Sequence, residues 1–158
     1  MMENLYCVSL AASVIALIFA WLQSKKVLAF SEGTPLMQKI SRAIRTGASA
    51  FLKRQYRTVA VFFACMFVVL CGMAAAGFVT WFVPFAFVTG GFFSGLSGFL
   101  GMKTATYASA RTANAARNSL NSGLRIAFRS GAVMGLVVVG LGLLDISFWY
   151  CLLYTSPS

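Results

Sequence analysis

The chain has 158 residues, of which 59% are hydrophobic and 10% are charged, and its formal net charge is +10. Soluble domains carry about 25% charged residues, so the composition excludes an ordinary water-soluble protein and predicts that lipid covers much of the surface. There are three acidic residues, Glu3, Glu32 and Asp145, and no histidine. This set is poorly suited to a zinc site, a magnesium–phosphate site or acid–base catalysis.

The four cysteines, Cys7, Cys65, Cys71 and Cys151, form no CxxC pair. The first three lie in apolar runs, where a free cysteine behaves as a small hydrophobic residue. A disulfide framework is therefore not expected.

The first apolar run, residues 5–22, has 18 residues without a charge, which is about the minimum length for a membrane-spanning helix. A cleaved signal peptide is the alternative, but it would need a basic N-terminal region and a small-residue cleavage site. This chain begins Met-Met-Glu-Asn, and Trp21 to Gln23 stand at the end of the run. The pattern favours a retained helix.

A basic segment, residues 23–57, follows. Thr34 and Pro35 are typical of a helix N-cap with proline at the first helical position, and apolar residues then recur at helical spacing up to Leu52. We predict an amphipathic helix that continues into the second span, residues 58–79. The basic residues of this segment are Lys25, Lys26, Lys39, Arg42, Arg45, Lys53, Arg54 and Arg57.

A tight turn is predicted at residues 80–84, with Trp81 at the membrane interface, where tryptophan is enriched. The third span covers residues 85–102, and its helix is expected to continue in water beyond Lys103. A second basic segment, residues 103–129, again has apolar residues at helical spacing and predicts another amphipathic helix. Its basic residues are Lys103, Arg111, Arg117, Arg125 and Arg129.

The fourth span covers residues 130–150, with Asp145 as its only charge. An ionisable residue inside a span is a functional hypothesis by default. We favour the alternative of a neutral or interface-facing carboxyl, since Asp145 lies towards the outer end of its helix. The GxxxG motifs at 91–95 and 131–135 are compatible with an ion path or with close helix packing, and we favour packing.

The positions of the basic residues predict the orientation in the membrane. All thirteen lie in the two basic segments, which four spans place on one side. Since basic loops stay in the cytoplasm, we predict cytoplasmic basic segments and an N-terminus outside the cell membrane. This distribution accounts for the net charge without nucleic acid, and binding to anionic lipid headgroups is a second interpretation.

Several stretches resemble a known family. GMKTATYASARTANAAR at 101–117, followed by FRSGAVMGL at 128–136, closely resembles membrane-bound, ion-translocating inorganic pyrophosphatases. EGTPLMQKI at 32–40 and AFLKRQY at 50–56 add to the similarity. It covers about residues 5–150 in the family's order and spacing.

This resemblance implies a parent protein with about sixteen transmembrane helices that works as a homodimer. Such a pump couples hydrolysis of magnesium-bound pyrophosphate to export of sodium ions or protons. Its acidic substrate-binding motifs follow later helices, so no catalytic, substrate-binding or metal-binding residue is carried over onto this chain. The chain is expected to be outer-ring scaffold and inactive alone. NSLNSGLRIAFRSGAVMG at 118–135 is more similar to the potassium-stimulated branch, which often pumps sodium.

The last eight residues, 151–158, do not resemble the family. They are similar to the translation of a transposase sequencing adapter, and such scars are excluded from fold reasoning. We predict an artificial end after about Tyr150, and a divergent natural C-terminus is the alternative.

Backbone polar groups in lipid must be paired within the protein. Spans of this length therefore predict an all-α integral membrane fold with about four transmembrane helices and cytoplasmic amphipathic extensions. The predicted function is that of a fragment of a pyrophosphate-energised ion pump. The alternative is a small four-helix membrane protein with a structural or lipid-binding role.

Overall fold

A computed structural model describes the backbone of residues 2–155 and the side chains of residues 8–153. The described chain forms four helices, α1 Met2–Leu28, α2 Pro35–Ala75, α3 Phe82–Asn118 and α4 Leu120–Thr155. Each is long and apolar enough to cross a membrane, so the all-α membrane fold is confirmed. The side chains of Glu3 and Cys7 and the last three residues, which belong to the predicted adapter, lie outside the described parts.

The second helix is continuous for 41 residues, as the sequence predicts. Thr34 has an extended backbone, and its Oγ1 accepts a hydrogen bond from the Met37 N–H at 3.4 Å. Pro35 takes the first helical position, where its missing N–H costs no hydrogen bond. A helix of this length extends about 60 Å, roughly twice the hydrocarbon thickness of a bilayer. Its basic half is therefore expected to protrude from the membrane.

The connection between α2 and α3 covers residues 76–81, earlier than the turn predicted at 80–84. Gly77 has φ +80, and the N–H groups of Gly77 and Phe78 donate to the carbonyls of Ala74 and Met73. These paired bonds form a Schellman C-cap, which ends α2. Pro84 lies buried in the first turn of α3. The prediction placed the turn too far along the sequence, because Pro84 lies in the first turn of α3 and not in the connection.

The third helix continues past Lys103 to Asn118, as expected, and only Ser119, in an extended conformation, separates it from α4. The second basic segment is thus divided between two helices. At this bend Gly123 lies against Ala116, and a Cβ on the glycine would lie 2.8 Å from the alanine Cβ. The absence of a side chain at Gly123 lets the two helices turn back closely on each other.

The described helices lie in the order α1, α4, α3, α2, with α4 between α1 and α3, and α2 contacting α3 alone. One apolar core, formed by Ala20, Val133, Val137 and Leu141, joins α1 to α4. A second joins α1, α3 and α4 near the basic end and consists of Val27, Ala108 and Ile126. Large apolar side chains elsewhere, such as Phe62 and Val68, remain exposed.

The glycines that allow close helix approach only partly match the GxxxG prediction. Gly91 lies directly under the Phe63 ring of α2, and a Cβ there would overlap that ring. By contrast, Gly95 and both glycines of the 131–135 motif would have open space around a Cβ within the described residues. In α4 it is Gly140 that contacts α1. The packing interpretation is confirmed for Gly91. No described residue packs on the glycines of the 131–135 motif, so packing there stays a prediction, because spacing identifies a face but not its neighbour.

Candidate functional site

The main charged cluster in the described chain connects the α1–α2 loop to the basic halves of α2 and α3. We call it the Glu32 cluster; it consists of Glu32, Arg45, Tyr107 and Arg111. Oε1 of Glu32 accepts a hydrogen bond from Nη2 of Arg45 and forms an ion pair with Nη2 of Arg111 at 3.0 Å. One carboxylate thus joins a loop to two helices that are distant in sequence.

Arg111 is the most buried member of the cluster, with 8% of its surface exposed. Its Nε donates to the carbonyl of Phe30 at 2.9 Å, and its Nη1 donates to the carbonyl of Tyr107 at 2.5 Å. Its Nη2 is ion-paired with Oε1 of Glu32, so each of the three guanidinium nitrogens lies close to an oxygen atom. A buried cation is tolerated when it is paired and hydrogen-bonded in this way.

Arg45 reaches the same carboxylate from α2. Its guanidinium carbon lies 3.8 Å from the centroid of the Tyr107 ring, a cation–π geometry. Its Nε is inaccessible to solvent and has no hydrogen-bond partner among the described atoms. Glu32 and Tyr107 together therefore hold α2 against α3 at this level.

The loop conformation places Glu32 in the cluster. Gly33 has φ +88, a conformation that residues with a Cβ rarely adopt. Its carbonyl accepts from Nε2 of Gln38 at 3.2 Å, and Nδ2 of Asn114 donates to the Ser31 carbonyl at 3.4 Å. A Cβ on Gly33 would lie 2.7 Å from Oδ1 of Asn114. The loop is therefore pressed onto α3, over the second apolar core.

The charges around Glu32 determine its protonation. The hydrogen bond from Arg45 holds the pKa of Glu32 below its ordinary value of 4.5, and attraction to Arg45, Arg111 and Arg42 acts in the same direction. Partial burial opposes this by raising the pKa. The net effect is a lowered pKa, so the carboxylate is ionised at neutral pH.

Sequence reasoning treated Arg45 and Arg111 only as charges of two basic segments and missed their shared partner. The available signal was that Glu32 is the only acid within those segments. The cluster offers hydrogen bonds and charge but no nucleophile. Its geometry suits a joint that holds a loop and two helices together.

Asp145, the one charge predicted inside a span, lies where α4 faces α3. Its Oδ2 would be 3.4 Å from a Cβ on Gly90, and its Oδ1 is inaccessible and lacks a hydrogen-bond partner in the described chain. One turn further, Nε1 of Trp149 donates to Oγ1 of Thr89 at 2.7 Å. These contacts place Asp145 at a contact between helices, and its protonation state stays a prediction.

The residues described here include no group of three or more Cys, His, Asp or Glu side chains that could hold a metal ion. Glu32 lies at the basic end of the helices. Asp145 lies about 25 residues along α4 from that end, roughly 37 Å at 1.5 Å per residue. These two carboxylates are too far apart to share a cation.

Comparison with known proteins supplies the context for this geometry. The family model described as inorganic H+ pyrophosphatase matches residues 14–158. A Bacteroides thetaiotaomicron protein that carries the name K(+)-stimulated pyrophosphate-energized sodium pump is 69% identical over 145 residues, which is 90% of this chain and 20% of that protein.

Two proton pumps are also similar. The K(+)-insensitive pyrophosphate-energized proton pump 2 of Moorella thermoacetica is 45% identical over 137 residues, covering 87% of this chain and 20% of the pump. The K(+)-insensitive pyrophosphate-energized proton pump of Methanosarcina mazei is 37% identical over 151 residues, covering 96% of this chain and 22% of the pump. The chain thus spans about a fifth of the length of these relatives. With a family match across most of its residues, the chain belongs to the inorganic H+ pyrophosphatase family of membrane pumps.

Proposed function

We propose that this chain is the N-terminal transmembrane part of a pump that couples pyrophosphate hydrolysis to cation export. The observation that carries the proposal is the 69% identity, over 90% of the chain, to a protein named as a pyrophosphate-energized sodium pump. The chain's own contribution is scaffolding. Its four long helices are joined by apolar cores and by the Glu32 cluster.

Sodium is the proposed ion, with stimulation by potassium. The support is the difference between 69% identity to a relative named as a K(+)-stimulated sodium pump and 45% identity to one named as a K(+)-insensitive proton pump. The sequence of residues 118–135 is also more similar to the potassium-stimulated branch of the family. Neither ion is assigned to a residue of this chain.

Magnesium belongs to the proposal for the whole pump and not to this part. The described carboxylates, Glu32 and Asp145, lie far apart along the helices, so they do not fit a magnesium–pyrophosphate site. We place that site in the rest of the pump. A homodimeric assembly is proposed on the same basis of family membership, and a cytoplasmic basic end is proposed from the positions of the thirteen basic residues.

The proposal predicts the DNA sequence that follows the codon for Tyr150. The source DNA should continue beyond the Tyr150 codon into further apolar spans and acidic motifs, and the assignment of residues 151–158 to an adapter stays a prediction until then. The completed protein in membrane vesicles should hydrolyse magnesium pyrophosphate and accumulate sodium. The present chain, expressed alone, is the control and should do neither.

Two results would contradict the proposal. One is genomic DNA that encodes a stop codon directly after Ser158, which would leave a four-helix membrane protein of structural or lipid-binding role. The other is a completed protein that inserts in the membrane but does not hydrolyse pyrophosphate. Proton uptake in place of sodium uptake would overturn the choice of ion alone.

A further inference from the structure

Two adjoining grooves run between α2 and α3. The first, about 690 Å³, lies between residues 45–56 of α2 and 99–107 of α3. The second, about 700 Å³, continues from it towards the α2–α3 connection. They share Leu52, Tyr56 and Met102 in their walls, so the two form one continuous path along the helix pair.

The first groove is basic. Arg45, Lys53 and Lys103 line it, and no carboxylate does. Arg45 is bound to Glu32, whereas neither lysine has an ion-pair partner among the described residues. Two cations without counter-charges thus face one cleft, and this favours an anionic occupant.

The second groove is apolar and has free space. Val59, Phe63, Val88 and Phe92 contribute to its walls. Gly95 also lines it, and a Cβ added there would meet no atom of another described part of the chain within 4 Å. An occupant of this groove should therefore be a hydrocarbon chain.

The boundary between the basic groove and the apolar groove lies where the sequence changes from uncharged to charged. The uncharged stretch of α2 begins at Thr58, and that of α3 ends at Met102. The basic groove is therefore expected at the membrane surface and the apolar groove within the hydrocarbon layer. Tyrosine and lysine are residues that place an apolar body in lipid and a polar tip at the surface.

We propose that this double groove binds an anionic glycerophospholipid, with its headgroup phosphate at Lys53 and Lys103 and an acyl chain in the apolar groove. Basic pockets between transmembrane helices bind anionic headgroups in this manner. Phosphatidylglycerol is the probe, because it combines one phosphate charge with two acyl chains. The proposal does not depend on pyrophosphate hydrolysis.

The first test measures lipid retention by native mass spectrometry. The chain is reconstituted with equal amounts of phosphatidylglycerol and phosphatidylcholine and then released from detergent. We expect preferential retention of phosphatidylglycerol, reduced roughly thirtyfold by the double substitution Lys53→Gln/Lys103→Gln, at about 1 kcal/mol per basic residue. Lys25→Gln/Lys26→Gln removes the same charge from the end of α1 and should retain the lipid.

The outcomes of this test are distinct. Equal losses in both double variants would show attraction to general surface charge, and equal retention of both lipids would show no anion site; either overturns the proposal. Displacement of phosphatidylglycerol by excess inorganic phosphate would also overturn it, since it would identify a site for the free anion. Circular dichroism of each variant checks that the helices are intact.

The second test addresses the acyl groove. Gly95→Leu should fill it while leaving the three basic residues in place, and we expect it to lower phosphatidylglycerol retention several-fold. Gly131→Leu adds the same side chain at a glycine of α4 that also has open space, and it should have no effect. Unchanged retention in Gly95→Leu would exclude the acyl groove from the site.

The third test uses the completed pump, where another part of the protein could occupy the groove. Phe99 lines the basic groove and is 42% exposed, so a photoreactive benzoyl-phenylalanine placed there would contact the occupant. Crosslinks to phosphatidylglycerol would support the proposal. Crosslinks to a peptide of the pump itself would overturn it, whether or not the pump hydrolyses pyrophosphate.

Discussion

At the scale of single residues, one carboxylate among thirteen basic side chains links three parts of the chain. Glu32 forms ion pairs with Arg45 and Arg111, which lie 13 and 79 residues further along the sequence. Arg111 is the more buried partner, so loss of the carboxylate would leave a cation with reduced compensation. Removing one partner of a buried pair costs more than the pair itself contributes.

Glu32→Gln should therefore lower the stability of the chain. A hydrogen bond to a charged group contributes about 1.5–3 kcal/mol, and partial exposure reduces this, so we expect a loss of about 1–2 kcal/mol. Thermal unfolding in detergent measures it. Lys39→Gln, at an exposed position of α2, is the control for a change of charge. Equal midpoints for wild type and Glu32→Gln would show that the cluster is not stabilising.

The lowered pKa of Glu32 predicts a pH dependence with a definite sign. Because the folded-state pKa lies below the ordinary 4.5, the ion pairs stabilise the fold fully above that value. Their contribution is lost as the pH falls through the lowered pKa. The stability difference between wild type and Glu32→Gln should be constant near neutral pH and shrink in acid. A difference that grew in acid would contradict the assigned pKa direction.

Adding a side chain at Gly33 has two unfavourable effects, backbone strain and a steric clash with Asn114. Gly33→Ala should destabilise the chain by about 1–3 kcal/mol, because φ is +88 and the new Cβ would meet Asn114. Gly77→Ala has a similar φ of +80 but open space, so it should cost only the backbone strain, about 1 kcal/mol. Denaturation midpoints of the two variants measure the difference. Equal losses would show that the loop is not pressed onto α3.

At the scale of helices, α2 is the element with the fewest partners. It contacts only α3 among the described helices, through the Glu32 cluster, a hydrogen bond from the Tyr56 hydroxyl to the Gly95 carbonyl at 2.6 Å, and stacked Phe63 and Phe87 rings with centroids 4.6 Å apart. These contacts, which are spaced along the helix, hold α2 against α3.

Two glycines of one GxxxG motif should respond differently to alanine. Gly91→Ala would overlap the Phe63 ring, so α2 must shift or the ring must turn, at about 1–3 kcal/mol. The new Cβ of Gly95→Ala would meet no atom of another described part of the chain within 4 Å. This substitution should be neutral or slightly stabilising, since alanine favours helix. A pair of cysteines, one in α2 and one in α3, would report a shift of α2 through a change in the rate of disulfide formation. Equal behaviour of both variants would contradict the observed packing.

At the scale of the whole molecule, the helices alternate in direction, so the α1–α2 loop and the break at Ser119 lie at one end. The contacts of Phe30 and Ser31 with α3 show this directly. The α2–α3 connection at 76–81 lies at the other end. Every basic residue thus lies in a segment at or leading to the first end.

This arrangement predicts a labelling pattern in cells. In a background without the four native cysteines, Ser31→Cys and Ser119→Cys should react with a membrane-impermeant maleimide only after the cytoplasm is opened. Thr80→Cys should react in intact cells. The reverse pattern would invert the proposed orientation, and labelling of Ser31→Cys and Ser119→Cys from different sides would contradict the four-helix topology itself.

Much of the helical structure was predictable because its causes are local. Hydropathy identified four apolar runs, and the Thr34–Pro35 pair identified the start of α2, since both depend on adjacent residues. The α2–α3 connection was misplaced because Gly77, with its Schellman bonds, ends the helix before the apolar run ends. Hydropathy does not distinguish a helical apolar residue from one in a turn.

The sequence by itself determined the class of protein, the number of candidate spans, the shared end of the basic segments and, through its motifs, the family. Tertiary structure alone decided which helices are neighbours, which glycines are covered, and that Glu32 pairs with two arginines. The physical reason is the distance along the sequence between the residues that interact. A span or a cap depends on residues within a few turns, whereas the contacts between helices join residues up to 138 positions apart. Helical periodicity assigns them to faces without specifying the partner.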